Sequence, residues 1–429
     1  MKYKSTNNKS EQVSFKDAVV KGLAADGGLY FPLEIPKLPE SFFKKLPELS
    51  ISEIAYEFLK PYVGGDLSDN ELKELLTDAL NFEIPLVELK QNVYSLELFH
   101  GPTLAFKDVG ARVMARFLSK FAGKKNKVTI LVATSGDTGS AVANGFLDVE
   151  GIDVVVLYPK GMVSNIQEKQ FTTLGKNITA LEINGTFDDC QRMVKEAFTD
   201  KELNAKMQLS SANSINVARF LPQAIYYFYA YAQLKDKSKA VVFSVPSGNY
   251  GNLTAGLIAK QSGLPIHKFI ASANINDVVP EYLKTGDFFT RPSVSTISNA
   301  MDVGNPSNFV RIMELYNHSW MKIKAEIEGC SFNDEKTKQC ISDVYQKNNY
   351  LLDPHGAVAY LGLSEYMKNN DVNGIFLETA HPAKFNETVE KQIPVKVNIP
   401  ERLQISLSKE KQSIGIGKSL DDLKHILLN

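Results

Sequence analysis

Val128-Thr129-Ile130-Leu131-Val132-Ala133, then Thr134-Ser135-Gly136-Asp137-Thr138-Gly139-Ser140, then the apolar stretch Ala141 to Leu147, is the run whose reading decides the fold. Six residues with little polar alternation read as a strand covered on both faces, and the stretch after the glycine turn reads as a helix. The same order recurs downstream. Val241 to Val245 ends in Pro246-Ser247-Gly248-Asn249-Tyr250-Gly251-Asn252, and Leu253 to Ala259 begins another helix. Further β-rich runs at Val154 to Leu157, Ile178 to Ile183 and Phe269 to Ala273 alternate with amphipathic helices. Repeated strand–helix order predicts an α/β protein with mostly parallel sheets and flanking helices.

Working outward, the stretch from Phe15 to about Leu89 is mostly helical in pattern, interrupted by Asp26-Gly27-Gly28-Leu29-Tyr30-Phe31-Pro32 and by Pro36 to Pro39. Three regions are therefore expected: an N-terminal, mainly helical domain at 1–90, a first α/β domain at 91–225 and a second at 226–429. Chains of this architecture often pass between domains more than once. After Lys107, the residues Val109, Val113, Met114, Phe117, Leu118 and Phe121 recur at helical spacing and should face the core.

The 429 residues have a formal net charge of −1 and no dense Lys/Arg run, so nothing in the charge pattern calls for a nucleic acid or a membrane surface. The N-terminus is polar, with no apolar signal core, and no run approaches the ~18 apolar residues of a membrane span. A cytoplasmic location is the expectation. Cys190, Cys330 and Cys340 are odd in number and lack CxxC spacing, so they read as reduced packing residues, and no metal site is expected. Gly417-Lys418-Ser419 imitates the end of a phosphate loop, but Gln412 stands where its first glycine belongs and no buried strand precedes it. No GxGxxG follows a predicted strand, which leaves a nicotinamide cofactor without support.

Five segments carry chemistry. Lys107 ends the apolar approach His100-Gly101-Pro102-Thr103-Leu104-Ala105-Phe106. Burial disfavours an ammonium, so this amine reads as a nucleophile able to form a Schiff base, or else as a snorkelling lysine. The glycine turns at 134–140 and 246–252 can converge backbone N–H groups at a helix N-terminus, as an anion cradle or as an ordinary capped turn. Ser210 to Arg219 contains Asn213, Ser214 and Arg219, donors that suit an oxyanion or, alternatively, a helix cap with a solvated arginine. Leu377-Glu378-Thr379-Ala380-His381-Pro382-Ala383-Lys384-Phe385 brings a hydroxyl, an imidazole and an amine to one strand end, where His381 alone reads more readily as a structural hydrogen-bonded residue.

In order, HGPTLAFKD at 100–108, TSGDTG at 134–139, NSINVAR at 213–219, SGNYGN at 247–252 and ETAHPAKF at 378–385 strongly resemble the threonine synthase family, pyridoxal-phosphate enzymes of the tryptophan-synthase β-subunit fold (fold type II). Gly22 to Pro32, Met301 to Phe309 and Asp353 to Gly356 resemble further segments of that family, so the likeness spans nearly the whole chain. It implies that Lys107 forms the Schiff base with pyridoxal 5'-phosphate. It implies further that Ser247, Gly248, Asn249, Tyr250, Gly251 and Asn252 hold the cofactor phosphate through backbone N–H groups, and that Thr379 faces the pyridine nitrogen. Thr134, Ser135, Gly136, Asp137 and Thr138 would grip the substrate α-carboxylate; Asn213, Ser214 and Arg219 would bind its phosphate. Related sulfhydrylases carry Asn where Asp137 stands, while Asp is usual in the threonine synthase branch. The implied reaction converts O-phospho-L-homoserine and water to L-threonine and phosphate. The alternative is a phospho-lyase releasing ammonia, phosphate and a 2-oxo acid. Family members of this length and N-terminal type imply a monomer or weak homodimer.

Overall fold

The structure is a computed structural model and describes residues 1–122 and 127–429. Its strands, among the described residues, are β1 (Tyr3–Ser5), β2 (Tyr30–Pro32), β3 (Leu86–Lys90), β4 (Val93–Glu97), β5 (Val128–Ala133), β6 (Ile152–Pro159), β7 (Ile178–Ile183), β8 (Gln208–Ser211), β9 (Val241–Pro246), β10 (Lys268–Ala273), β11 (Ile327–Ser331), β12 (Asn373–Glu378) and β13 (Ile414–Ile416). They form two main sheets. One runs β13-β7-β6-β5-β8 and is parallel throughout; the other runs β11-β10-β9-β12-β4-β3 and is parallel except for the β3–β4 hairpin. A small antiparallel pair joins β1 to β2. The two-domain α/β expectation holds, and β5, β7, β9 and β10 lie at or within one residue of their expected bounds.

Sheet membership departs from contiguous ranges. β4, near the start of 91–225, pairs with β12 in the sheet of the later segment, and β13, near the chain's end, returns to pair with β7. The sheets therefore do not divide at residue 225. The chain crosses between them after β4, after β8 and before β13; β4 lies between β12 and β3, and β13 adds at the open edge of β7.

N-terminal helices Phe15–Lys21, Ile51–Val63 and Asp69–Ala79 share one core with the first sheet domain. Phe15 meets Phe117 edge-on at 5.0 Å between centroids, and Phe58 meets Phe228 at 5.3 Å. Arg112 closes the C-terminus of Asp69–Ala79, its Nε donating to Ala79 O at 2.8 Å and its Nη2 to Asp78 O at 2.9 Å. Those carbonyls have no partner within their own helix, so the contact joins the N-terminal region to the helix that begins at Lys107. All six apolar positions expected to face inward on that helix, Lys107–Ala122, are buried. Beyond Ser211 the helical stretch is broken: Val217–Phe220 gives way to a 3-10 turn at Leu221–Gln223 before Ala224–Gln233 begins, as Pro222 has no N–H to continue the ladder. No described helix is long and apolar enough to cross a membrane.

Candidate active site

Every site segment leaves the C-terminal end of a parallel strand, the place where open α/β sheets present helix N-termini and loops. Lys107 is the first residue of its helix. Its approach is tied to the exit of β12, with Phe106 N–H donating to Thr379 O at 2.8 Å and His381 N–H to Leu104 O at 3.0 Å. Asp108 closes the turn by accepting from Thr103 N at 2.8 Å and Thr103 Oγ1 at 2.6 Å. Gly101 is required there, because a Cβ would lie 2.5 Å from Asp108 Oδ2. Lys107 is half-buried, while protein atoms crowd its amine. That burial brings its pKa down to about 8; Asp137 opposes the shift, and Lys384 and Arg219 add to it as like charges.

In the 134–140 turn, Thr134 organises the backbone instead of offering its hydroxyl. Its Oγ1 accepts from Gly136 N at 2.9 Å and Gly139 N at 2.8 Å and donates to Gly136 O at 3.1 Å. Among the described residues, the N–H groups of Ser135, Asp137 and Thr138 meet no acceptor and are left to an anion at the start of helix Asp137–Gly145. Burial alone would raise the Asp137 pKa, but Lys384 and Lys107 hold it well below the usual carboxylate range.

The 246–252 turn has the same economy. Ser247 is buried, donating through its N–H to Ser272 O and through Oγ to Val245 O, both at 2.8 Å, and Asn252 Nδ2 donates to Pro246 O at 3.0 Å. Asn249 Oδ1 accepts from Ser307 N and Oγ, while its Nδ2 donates to Ser214 Oγ at 2.8 Å. These side chains brace the loop. The N–H groups of Gly248, Asn249, Tyr250 and Gly251 remain without acceptors among the described residues, ahead of helix Gly251–Gln261. Tyr250 takes φ +62°, and a Cβ on Gly248 would lie 2.8 Å from Ala300 O, so backbone crowds the turn from behind. A phosphate fits this cradle, and the Lys107 amine fits the aldehyde of a phosphate-bearing cofactor.

Arg219 is buried beside the lysine. Its Nε donates to Ala212 O at 3.0 Å and its Nη1 to Lys107 O at 2.7 Å, and no carboxylate pairs with it among the described residues. Burial lowers its pKa to about 10, with Asp108 opposing. Ser214 bridges this cluster to the phosphate cradle, accepting from Asn249 and from Asn308 Nδ2 at 2.9 Å; Asn213 Oδ1 is buried and unpartnered among the described residues. The structure thus brings together Lys107, both glycine turns, the 213–219 cluster and Thr379.

Of three supporting residues, sequence reasoning passed over Arg311 and Gln167 and marked Lys384 only as an amine at a strand end. Arg311 is fully buried and donates to Ser214 O at 2.9 Å, Ile215 O at 2.5 Å and Tyr30 O at 3.0 Å, joining β2 to the 213–219 cluster. Gln167 Nε2 donates to Asp137 Oδ1 at 2.9 Å, and Lys384 Nζ lies 2.5 Å from the same oxygen. Nearness of Arg311 to Met301–Phe309 was its one sequence signal. His381 is structural, its Nδ1 accepting from Ala383 N at 3.1 Å, with burial bringing its pKa down to about 4. Gly417-Lys418-Ser419 follows an exposed strand, and Ser419 caps helix Leu420–Leu428.

Residues 79–375, which take in Lys107 and both cradles, match the family described as pyridoxal-phosphate dependent enzyme. That defines the class: a pyridoxal-phosphate dependent enzyme. The flanking regions narrow it, residues 2–80 matching the threonine synthase N terminus and residues 356–427 the threonine synthase C-terminal region. Threonine synthase of Haemophilus influenzae is 49% identical over 394 residues, covering 92% of this chain and 91% of its own length. That of Escherichia coli is 44% identical over 404 residues, 94% of each. The crystal structure of the Escherichia coli enzyme superposes with a TM-score of 0.93 at 41% identity over 100% of both chains. A pyridoxal-phosphate-bound threonine synthase from Brucella melitensis gives 0.93 at 35% identity over 100% of this chain and 98% of that one. The chain belongs to the threonine synthase family.

Proposed function

We propose that this chain converts O-phospho-L-homoserine and water to L-threonine and phosphate, with Lys107 moving the protons. The observation that carries this reading is Arg219: a buried guanidinium with no carboxylate partner among the described residues, bonded to the carbonyl of Lys107 itself. One anion cradle suffices for a cofactor phosphate. A second fixed cation beside the lysine fits a substrate that brings a phosphate of its own.

Pyridoxal phosphate, when bound, supplies an aldehyde for amines and a ring that delocalises negative charge from the adjacent carbon. The protein does the rest. The N–H groups of 248–251 hold the cofactor phosphate, and those of Ser135, Asp137 and Thr138 hold the substrate carboxylate. Lys107 Nζ, with a pKa near 8, is available as a base close to neutral pH and takes the proton from Cα. It then serves as shuttle for the Cβ proton while phosphate leaves Cγ against Arg219, Asn213 and Ser214. Lys107 delivers a proton to Cγ, which becomes the methyl group, water adds its hydroxyl at Cβ as its own proton passes to the released phosphate, and Lys107 returns the last proton to Cα. Thr379 presents a neutral hydroxyl to the cofactor ring, which limits how far charge is drawn into it and suits elimination better than transamination.

The test is an absorbance spectrum of the purified holoenzyme, then addition of O-phospho-L-homoserine with all products quantified. A cofactor band absent from Lys107→Ala, with threonine and phosphate formed one to one by the parent, is the expected result. Phosphate with ammonia and 2-oxobutyrate but no threonine identifies the phospho-lyase instead. No cofactor band after pyridoxal phosphate is supplied would remove the basis of the proposal.

A further inference from the structure

Asp137 stands in a loop whose proposed ligand is a carboxylate, yet it is a carboxylate itself. Its Oδ1 accepts from Gln167 Nε2 at 2.9 Å and lies 2.5 Å from Lys384 Nζ. Lys384 is fully buried in the turn after β12, and its second bond goes to Thr103 O at 3.0 Å. The pair thus draws together the carboxylate loop, the approach to Lys107 and the exit of β12. Two opposite charges taken out of water lose much of their hydration, and their attraction repays this only in good geometry, so the pair is a poor device for stability alone. Facing Lys107 are Asp137, Lys384, Arg219 and Asp353. Lys384 in turn is felt by Asp108 and His381.

We propose that Lys384 is a positioning residue for the reaction: it discharges Asp137, so that the free N–H groups of Ser135, Asp137 and Thr138 receive an α-carboxylate without repulsion, and it withholds Asp137 from Lys107, so that the amine stays a neutral base. This rests on the reading above in giving the 134–138 loop to a substrate carboxylate. The ion pair is then the electrical equivalent of a neutral amide at 137, built from two segments 247 residues apart in sequence. Without Lys384, the Asp137 charge would face the incoming carboxylate and would pair with the Lys107 ammonium, and both effects oppose turnover.

The test uses Lys384→Met holoenzyme. Loss of a charged contact predicts KM for O-phospho-L-homoserine raised roughly tenfold. With Asp137 freed to stabilise the Lys107 ammonium, the acid limb of the kcat–pH profile should move up by about one unit. The double variant Asp137→Asn/Lys384→Met carries neither charge and should recover most of both changes. A fall in kcat at all pH values with KM and limb unmoved, or a double variant no better than Lys384→Met, overturns the proposal. If Lys384→Met fails to fold, the double variant decides alone: KM and acid limb near those of the parent support the proposal, and KM raised tenfold overturns it. A binding arm needs no turnover. L-Threonine and L-threoninamide are titrated against the cofactor absorbance of parent and variant. Weakening of threonine but not of its amide is expected, and equal weakening of both refutes the role. Because this arm reads carboxylate recognition directly, it stands even if the parent releases phosphate without forming threonine.

Discussion

Arg219→Ala tests the second anion site. In the parent the guanidinium uses two of its five donors on backbone, Nε on Ala212 O at 3.0 Å and Nη1 on Lys107 O at 2.7 Å, leaving three for a ligand. The helix Lys107–Ala122 comes so close that a Cβ on Gly110 would sit 2.2 Å from Arg219 O and 2.9 Å from Nη1, so the side chain has no room to swing away. A preorganised donor of this kind is worth about 3–4 kcal/mol where charge builds on a leaving group, which sets the expected loss in kcat at about a hundredfold or more. The folding side should nearly balance. Two carbonyls left unbonded cost about 1–3 kcal/mol each, but a buried cation without a carboxylate partner is removed at the same time. The assay is initial-rate phosphate release at saturating O-phospho-L-homoserine, with cofactor content read by absorbance and thermal midpoint recorded alongside. Inorganic phosphate should inhibit the parent as a product and should lose that effect in the variant. Turnover equal to the parent, or a loss explained by missing cofactor, would refute the assignment of Arg219 to the substrate phosphate.

Three further outcomes are expected. In the cofactor-free protein, Lys107 has a folded pKa near 8 against 10.5 when unfolded, so between those values the unfolded chain holds the extra proton and stability rises with pH. The full penalty applies below about 8 and reaches at most about 3 kcal/mol, since the partial exposure of the residue reduces it. Lys107→Met should therefore raise the urea midpoint at pH 7 and lose that advantage by pH 10.5; an equal gain at both values contradicts the shift. Gly356→Ala would place a Cβ 1.4 Å from Glu378 Oε2, on a carboxyl already buried and bonded through Oε1 to Asp353 N at 2.6 Å. A loss of about 3 kcal/mol or more in denaturant unfolding is expected, and a change below 1 kcal/mol would mean that Glu378 moves freely. Thr379→Asp puts a charge at a buried position beside Glu378, and should lower threonine formation while raising transamination products; an unchanged product profile counts against the neutral-hydroxyl argument.

What could be read in the sequence follows burial. Strands β5, β9 and β10 are covered on both faces almost throughout, and their apolar runs announced them; β3 and β13 are half-exposed edge strands with no such run and passed unseen. β4 was missed because its partner β12 lies some 280 residues downstream, and pairing of that kind has no local signal. The site divides in the same way. Glycine turns at 134–140 and 246–252 carry their chemistry locally, since the N–H groups belong to the turn itself. Gln167, Arg311 and Lys384 take their meaning from partners that only the fold supplies: Asp137 for the first and last, Ser214 and Tyr30 for the second.

That division has a chemical reason. A lysine whose amine must be neutral near pH 7 to 8 needs desolvation, and desolvation acts on every charge nearby, including the cations and carboxylates that substrate recognition requires. Arg219 meets the difficulty with backbone carbonyls, Asp137 with Lys384, and Asp353 with His355, whose Nδ1 lies 2.5 Å from Asp353 Oδ1 while Nε2 accepts from Ala300 N behind the phosphate cradle. Each of the three partners comes from a different stretch of chain. Loss of the Lys384 or the His355 side chain leaves a buried carboxylate unpaired whose charge acts on Lys107, so it should reach the protonation of Lys107 as well as local packing. The residues most diagnostic of mechanism in this fold are accordingly the compensating ones, because their removal shifts a pH profile where removal of an ordinary core residue shifts only stability.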